Sequence, residues 1–222
     1  MRKKIELTMA VIVLIAALLA GKSLTKYVSA EVRNNKSIVV VVDPGHGDQD
    51  PGKIGVNKTL EKDLNLCIAL KLKKQLEKNN ITVQMTRKDD ISLGKNKIED
   101  MKARIKNINE IKPKLVVSIH QNSYHESSIN GAQVFYYTHS PEGKKAALIM
   151  QNSLLSFHPQ NTRQAKANDT YYLLKKTEVP TIIVECGFLS NSEEERKLTD
   201  ESYQNQVVDA ICHGIISYIN EK

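Results

Sequence analysis

Apolar residues along this chain fall into two alternating patterns. Short continuous runs, Ile38–Val42, Ile81–Thr86, Leu115–Ile119 and Thr181–Val184, predict buried strands, and "GAQVFYY" (Gly131–Tyr137) is also β-rich. Between them the period lengthens. Leu60, Leu64, Ile68, Leu72 and Leu76 recur at steps of four with Lys and Glu on the other face, which predicts an amphipathic helix. Ile98, Met101, Ile105 and Ile108 mark a second helix, closed off before Pro113. Lys144–Phe157, Tyr171–Lys176 and Tyr203–Ile219 read as three more. Apolar strands separated by helices predict an α/β fold, with a sheet covered by helices on both faces. No Gly/Ser- or Pro-rich linker, internal repeat or low-complexity stretch interrupts residues 38–222, so a single domain is expected there.

Composition changes this picture little: 41% hydrophobic and 26% charged residues are ordinary for a globular domain. The formal charge of +7 is more suggestive, but much of it is local. Residues 1–30 hold five of the 32 basic and one of the 25 acidic side chains, so 27 bases face 24 acids beyond them. That balance argues against a nucleic-acid surface. The same 30 residues read as a leader. Arg2-Lys3-Lys4 precedes the charge-free apolar stretch Leu7–Gly21, and Val28-Ser29-Ala30 offers small residues for cleavage. A secretory signal peptide is expected, with an uncleaved membrane anchor as the alternative; either places the domain outside the cytoplasmic membrane. Cys67, Cys186 and Cys212 show no disulfide or CxxC spacing, and Cys67 and Cys212 sit in helical apolar patterns as packing residues.

Three strands run into polar residues. "VVVVDPGH" reaches His46, "LVVSIHQN" reaches His120 and "TIIVECGF" reaches Glu185. If the strands are parallel, all three lie at one sheet edge, where α/β proteins bind ligands. The glycines flanking His46 imply a sharp bend and room beside the imidazole. Two neutral imidazoles and a carboxylate form a common catalytic zinc set. Glu61, in the first turn of the Leu60–Leu76 helix, is the foremost oxygen donor, although by position alone it reads more readily as an ordinary helix-start acid. Asp48 and Asp63 remain competing donors. Glu185, in a glycine-flanked turn after a hydrophobic strand, suits a general base whose pKa partial desolvation raises. His125, His139, His158 and His213 follow no ligand spacing, and no HExxH, GxSxG or Walker motif is present.

With "DPGHGD", "LEKDLNL", "SIHQN" and "VECGFLSN" in this order, the chain from Ile38 to its last helix resembles the zinc-dependent N-acetylmuramoyl-L-alanine amidases, the amidase-3 family. The resemblance implies a mixed, mostly parallel sheet of about six strands. It also implies zinc on His46, Glu61 and His120, with Glu185 as the catalytic glutamate and peptidoglycan as the substrate. "GAQVFYY" and "NTRQAK" are similar to the sporulation branch of the family, the germination-specific amidases, whose cutting allows muramic-δ-lactam to form in spore cortex. Lacking a wall-binding module, such a chain would find its substrate through its own cleft, a membrane anchor or an accessory exported protein. Asp48 departs from the family's usual glycine and could bind metal, orient His46 or do neither. Cys186, next to Glu185 in sequence, is assigned to the opposite face. Two rival readings are a non-catalytic peptidoglycan-binding protein and a zinc hydrolase that cuts another wall bond.

Overall fold

The computed structural model describes residues 38–221, so the expected leader lies outside the described residues. In chain order the elements are β1 (Val39–Pro44), α1 (Glu61–Lys78), β2 (Thr82–Met85), α2 (Lys97–Ile111), β3 (Leu115–Asn122), β4 (Gln133–Tyr136), α3 (Pro141–Phe157), β5 (Lys166–Ala167), α4 (Tyr172–Lys176), β6 (Thr181–Phe188), α5 (Ser192–Thr199) and α6 (Glu201–Asn220). The six strands form one sheet in the order β2-β1-β3-β6-β4-β5. Strands β2, β1, β3 and β6 are mutually parallel. Strand β4 runs against β6, and the two-residue β5 follows β4. The expected mixed, mostly parallel sheet is therefore present.

Strand residues alternate between two covered faces. On one, Val40, Val42, Val117, Ile119 and Val184 pack against Leu64 and Ile68 of α1, Met150 of α3 and Ile211 of α6. On the other, Val41 and Val116 meet Ile105 and Ile108 of α2 and Leu173 of α4, while Phe135 and Ile183 meet Leu174. The period of two then sets the polar residues. Asp43 follows Val41, Ser118 and His120 follow Val116, and Glu185 follows Ile183, so all four share the face that α2 and α4 cover. Cys186 falls on the opposite face and is buried in the larger core cluster, as the sequence implied. Cys212 is buried as well; Cys67 is only half-buried, with Sγ 3.3 Å from Gln204 Oε1.

Strands β3 and β6 run past their expected ends. His120 and Glu185 lie within the ladder, as register partners on adjacent parallel strands. Glu185 is thus a strand residue and not part of a turn. Helix α5 and strand β5 were not foreseen: "SEEERKLT" contains one apolar residue and "KA" is too short to carry a period.

Candidate metal centre

The loop after β1 begins the site. His46 has φ 62°, a left-handed conformation that a side chain with a Cβ seldom adopts. Two buried arginines hold this backbone. Arg87 donates to the carbonyls of Pro44 (3.0 Å) and Gly45 (2.9 Å), and Arg104 donates to those of Pro44 (2.8 Å) and His46 (2.6 Å). Arg104 also pairs with buried Asp43 at 2.7 Å. Burial works to raise the Asp43 pKa, but Arg104 and the hydroxyls of Ser118 and Thr86 outweigh it and hold the carboxyl at about 2. The loop is thereby fixed by charge-assisted bonds to its own carbonyls.

Glu61 opens α1, and its carboxylate is gathered in from several sides. Oε2 accepts from Lys53 N (2.7 Å), and Oε1 accepts from Gln121 N (3.1 Å) and Asn65 Nδ2 (3.3 Å). His120 Nδ1 lies 2.9 Å and His46 Nε2 3.2 Å from the same Oε1. Burial pushes the Glu61 pKa up, but the two imidazoles hold it well below the ordinary carboxylate range. One ligating atom from each of His46, Glu61 and His120 falls within 4.8 Å of the others. The two imidazole rings meet edge to face, centroids 5.0 Å apart. His46 Nδ1 donates to Asp50 Oδ2 (2.8 Å), whose other oxygen takes Lys97 Nζ (2.7 Å).

Two glycines make this crowding possible. A Cβ on Gly45 would lie 2.2 Å from the His120 ring, and one on Gly52, at φ 66°, would lie 2.5 Å from Glu61 Oε2. Gly45 thus makes room for His120, the imidazole from the neighbouring strand, more than for His46 beside it in sequence.

Glu185 lines the same cavity of about 370 Å³ as His46, Glu61, His120 and Tyr171. It is buried, and among the described residues its Oε2 has no hydrogen-bond partner. Burial raises its pKa to about 7, with Glu61 adding to the rise and His120 and His46 opposing it. A carboxyl poised there can take and release a proton near neutrality. A second cavity, of about 500 Å³, opens on the α2 side of His46 and is lined by Asp50, Lys95 and Lys97.

The structure therefore brings His46, Glu61, His120 and Glu185 together, and it leaves out the competing donors. Asp48 and Asp63 are exposed. The backbone N–H of Asp48 donates to Asp90 Oδ1 (2.7 Å), and the residue that orients His46 is Asp50. Sequence reasoning missed Asp50, Asn65, Arg87 and Arg104. A signal existed for Arg104, a charge on the apolar stripe between Met101 and Ile108. His125 and His139 are exposed, as their lack of spacing implied.

Comparison with known proteins identifies the family. The family model described as N-acetylmuramoyl-L-alanine amidase matches residues 40–217. The germination-specific N-acetylmuramoyl-L-alanine amidase of Bacillus subtilis is 36% identical over 192 residues, covering 83% of this chain and 81% of that protein. The CwlD amidase of Clostridioides difficile, solved in complex with the GerS lipoprotein, matches with a TM-score of 0.79 at 38% identity, over 82% of this chain and 98% of that one. An N-acetylmuramoyl-L-alanine amidase from Clostridium difficile 630 matches with a TM-score of 0.77 at 31% identity, over 85% of this chain and all of that one. With its fold, its polar sheet edge and nearly the whole of residues 38–221 matched, the chain belongs to the N-acetylmuramoyl-L-alanine amidase family of hydrolases.

Proposed function

We propose that this chain hydrolyses the amide between N-acetylmuramic acid and L-alanine in peptidoglycan, with zinc held by His46, Glu61 and His120 and with Glu185 moving the proton. The observation that carries this reading is the unpartnered, buried oxygen of Glu185 in the cavity lined by the two imidazoles and Glu61. The donor set fits the ion: an ionised carboxylate beside two imidazoles offers a negative charge and nitrogen lone pairs to a cation, and two nitrogens with one oxygen suit a catalytic zinc. Asp50 fixes His46 with Nε2 turned inward, as a supporting carboxylate does for a ligating histidine.

Bound there, zinc supplies Lewis acidity that polarises the lactyl carbonyl and makes a water molecule more acidic. Glu185 accepts a proton from the water that adds to that carbonyl. As the C–N bond breaks, the same carboxyl returns the proton to the L-alanine nitrogen. The glycan keeps a lactyl carboxylate and the stem peptide leaves with a free amine. The pKa of about 7 suits both halves of this exchange.

The germination-specific relative from Bacillus subtilis supports the sporulation-branch reading, in which stem-peptide removal in spore cortex would precede muramic-δ-lactam formation. The leader-like residues 1–30 and the peptidoglycan substrate support action outside the cytoplasmic membrane. The lipoprotein in the Clostridioides difficile complex supports an exported partner for this chain too. Among the described residues no helix is long and apolar enough to cross a membrane.

Digestion of purified peptidoglycan followed by mass spectrometry tests the reaction. The expected products are peptides beginning with a free L-alanine amine and glycan bearing free lactyl carboxylates, lost with a chelator and restored by zinc. Cuts within the stem peptide, or release of acetate, would contradict the assigned bond.

A further inference from the structure

"GAQVFYY" and "NTRQAK" contribute nothing to the four-residue centre, yet the structure brings them together beside it. Strand β4 adjoins β6 on the side away from β3, and Gln133 of β4 is the register partner of Glu185. A cavity of about 530 Å³ lies there, lined by Asn122, Gln133, Phe135, Arg163, Lys166 and Tyr171. Asn122 and Tyr171 also line the cavity of Glu185, so the two spaces adjoin.

Arg163 is held in this groove in a set position. Its guanidinium lies 4.5 Å over the Phe188 ring, and it donates to Asn130 O (2.7 Å) and Gln133 Oε1 (3.2 Å). Its own backbone N–H is bonded to buried Asn161, whose Nδ2 is tied to Ala132 O (2.8 Å). Among the described residues these partners are neutral, so no carboxylate cancels its charge. Lys166 adds a second cation. Glu126, the one acid lining the groove, is exposed and pairs with His125 at 3.4 Å.

Across the sheet the order is His46 at the end of β1, His120 on β3, Glu185 on β6, then Gln133 on β4 and Lys166 on β5. The leaving nitrogen must sit within reach of Glu185. On that placement the cavity toward β4 and β5 is open to the attached peptide, and the one on the α2 side of His46 to the sugar. We propose that the Arg163 groove is the stem-peptide subsite, and that Arg163, assisted by Lys166, recognises a free carboxylate of the acidic peptide just beyond the scissile amide. A planar guanidinium already stacked and partly bonded is suited to binding a carboxylate through two parallel hydrogen bonds. This rests on the amidase reading, since Glu185 places the leaving nitrogen.

The test compares the tripeptide L-alanyl-γ-D-glutamyl-diaminopimelate with its form amidated on the glutamyl carboxyl, as ligands for the zinc-loaded protein in calorimetry. The wild type is expected to bind the free acid about tenfold more tightly. Arg163→Gln is expected to bind both alike, and Arg163→Lys to keep part of the preference. Lys166→Gln, at an exposed position, is expected to reduce the preference without touching the fold. No preference in the wild type, or a full preference in Arg163→Gln, would overturn the proposal. Turnover of the matching muropeptides is read separately: a wild type that binds the acid selectively but cuts neither substrate contradicts the amidase reading and leaves the subsite standing.

Discussion

One hydrogen in place of a methyl group decides whether His120 can stand beside Glu61. Since a Cβ at Gly45 would lie 2.2 Å from the imidazole, Gly45→Ala must displace the ring. We expect a loss of zinc affinity of at least about tenfold, the usual scale for disturbing a ligand's surroundings, read by competition with a chromogenic chelator. Glu185→Gln is expected to behave differently. It should keep zinc and fold while losing about a hundredfold or more in turnover, as removal of a general base does. Retained turnover in that variant would remove Glu185 from the proton-transfer role. His46, His120 and Glu185 stand out in the sequence because each follows an apolar run, whereas Glu61 reads by position as a helix-start acid and is singled out by the family resemblance. Asp50 was not legible, because its bond to His46 depends on a left-handed backbone at His46 and Asp48 that no periodicity signals.

The elements succeed as carriers because their polar positions continue the alternation of the core. Asp43, Ser118, His120 and Glu185 all extend apolar rows of the α2 and α4 face, so strand register and site geometry are one fact. The apolar runs gave the principal strands and helices, but strands extend further wherever a polar residue continues the ladder. Asp43 is paired with Arg104 and Ser118, and Glu185 faces the cavity of the centre with one oxygen unpartnered. Helix α5 escaped notice because its buried residues include Glu194 and Glu195, whose carboxylates accept backbone N–H groups from Gly131, Phe188, Asn57 and Thr59. Such acids look like solvent-facing residues in a sequence.

The buried pair of Asp43 and Arg104 belongs to this scale and carries a pH dependence. Asp43 is held at about 2 in the fold, below its ordinary 3.8. A depressed carboxyl stabilises the folded state fully above the unfolded value, and that contribution is lost as pH falls from near 4 toward 2. It amounts to about 2 kcal/mol. Asp43→Asn should flatten the acid limb of a urea-midpoint titration between those values. The same change leaves Arg104 with Asp100, also at 2.7 Å, as its remaining counter-charge, and should destabilise the fold at neutral pH by less than the roughly 3–5 kcal/mol of a fully unpaired buried charge. An unchanged acid limb would mean that the pair does not anchor the loop after β1.

At the scale of the whole molecule, the centre ties together segments far apart in sequence: the loop after β1, the start of α1 and the strand β3. An ion that binds only this assembled arrangement must stabilise the fold. Zinc at a hundred times its dissociation constant should add about 2.7 kcal/mol. Thermal unfolding with and without chelator checks this, and equal melting temperatures would show that the fold does not couple to metal. The measurement that bears most directly on the account is zinc content per chain by elemental analysis, made on the wild type and on Glu61→Gln, His120→Ala and Glu185→Gln. One zinc is predicted in the wild type and in Glu185→Gln, with most of it lost from the other two. Full occupancy in Glu61→Gln and His120→Ala, or no zinc in the wild type after exposure to it, would contradict the centre described here.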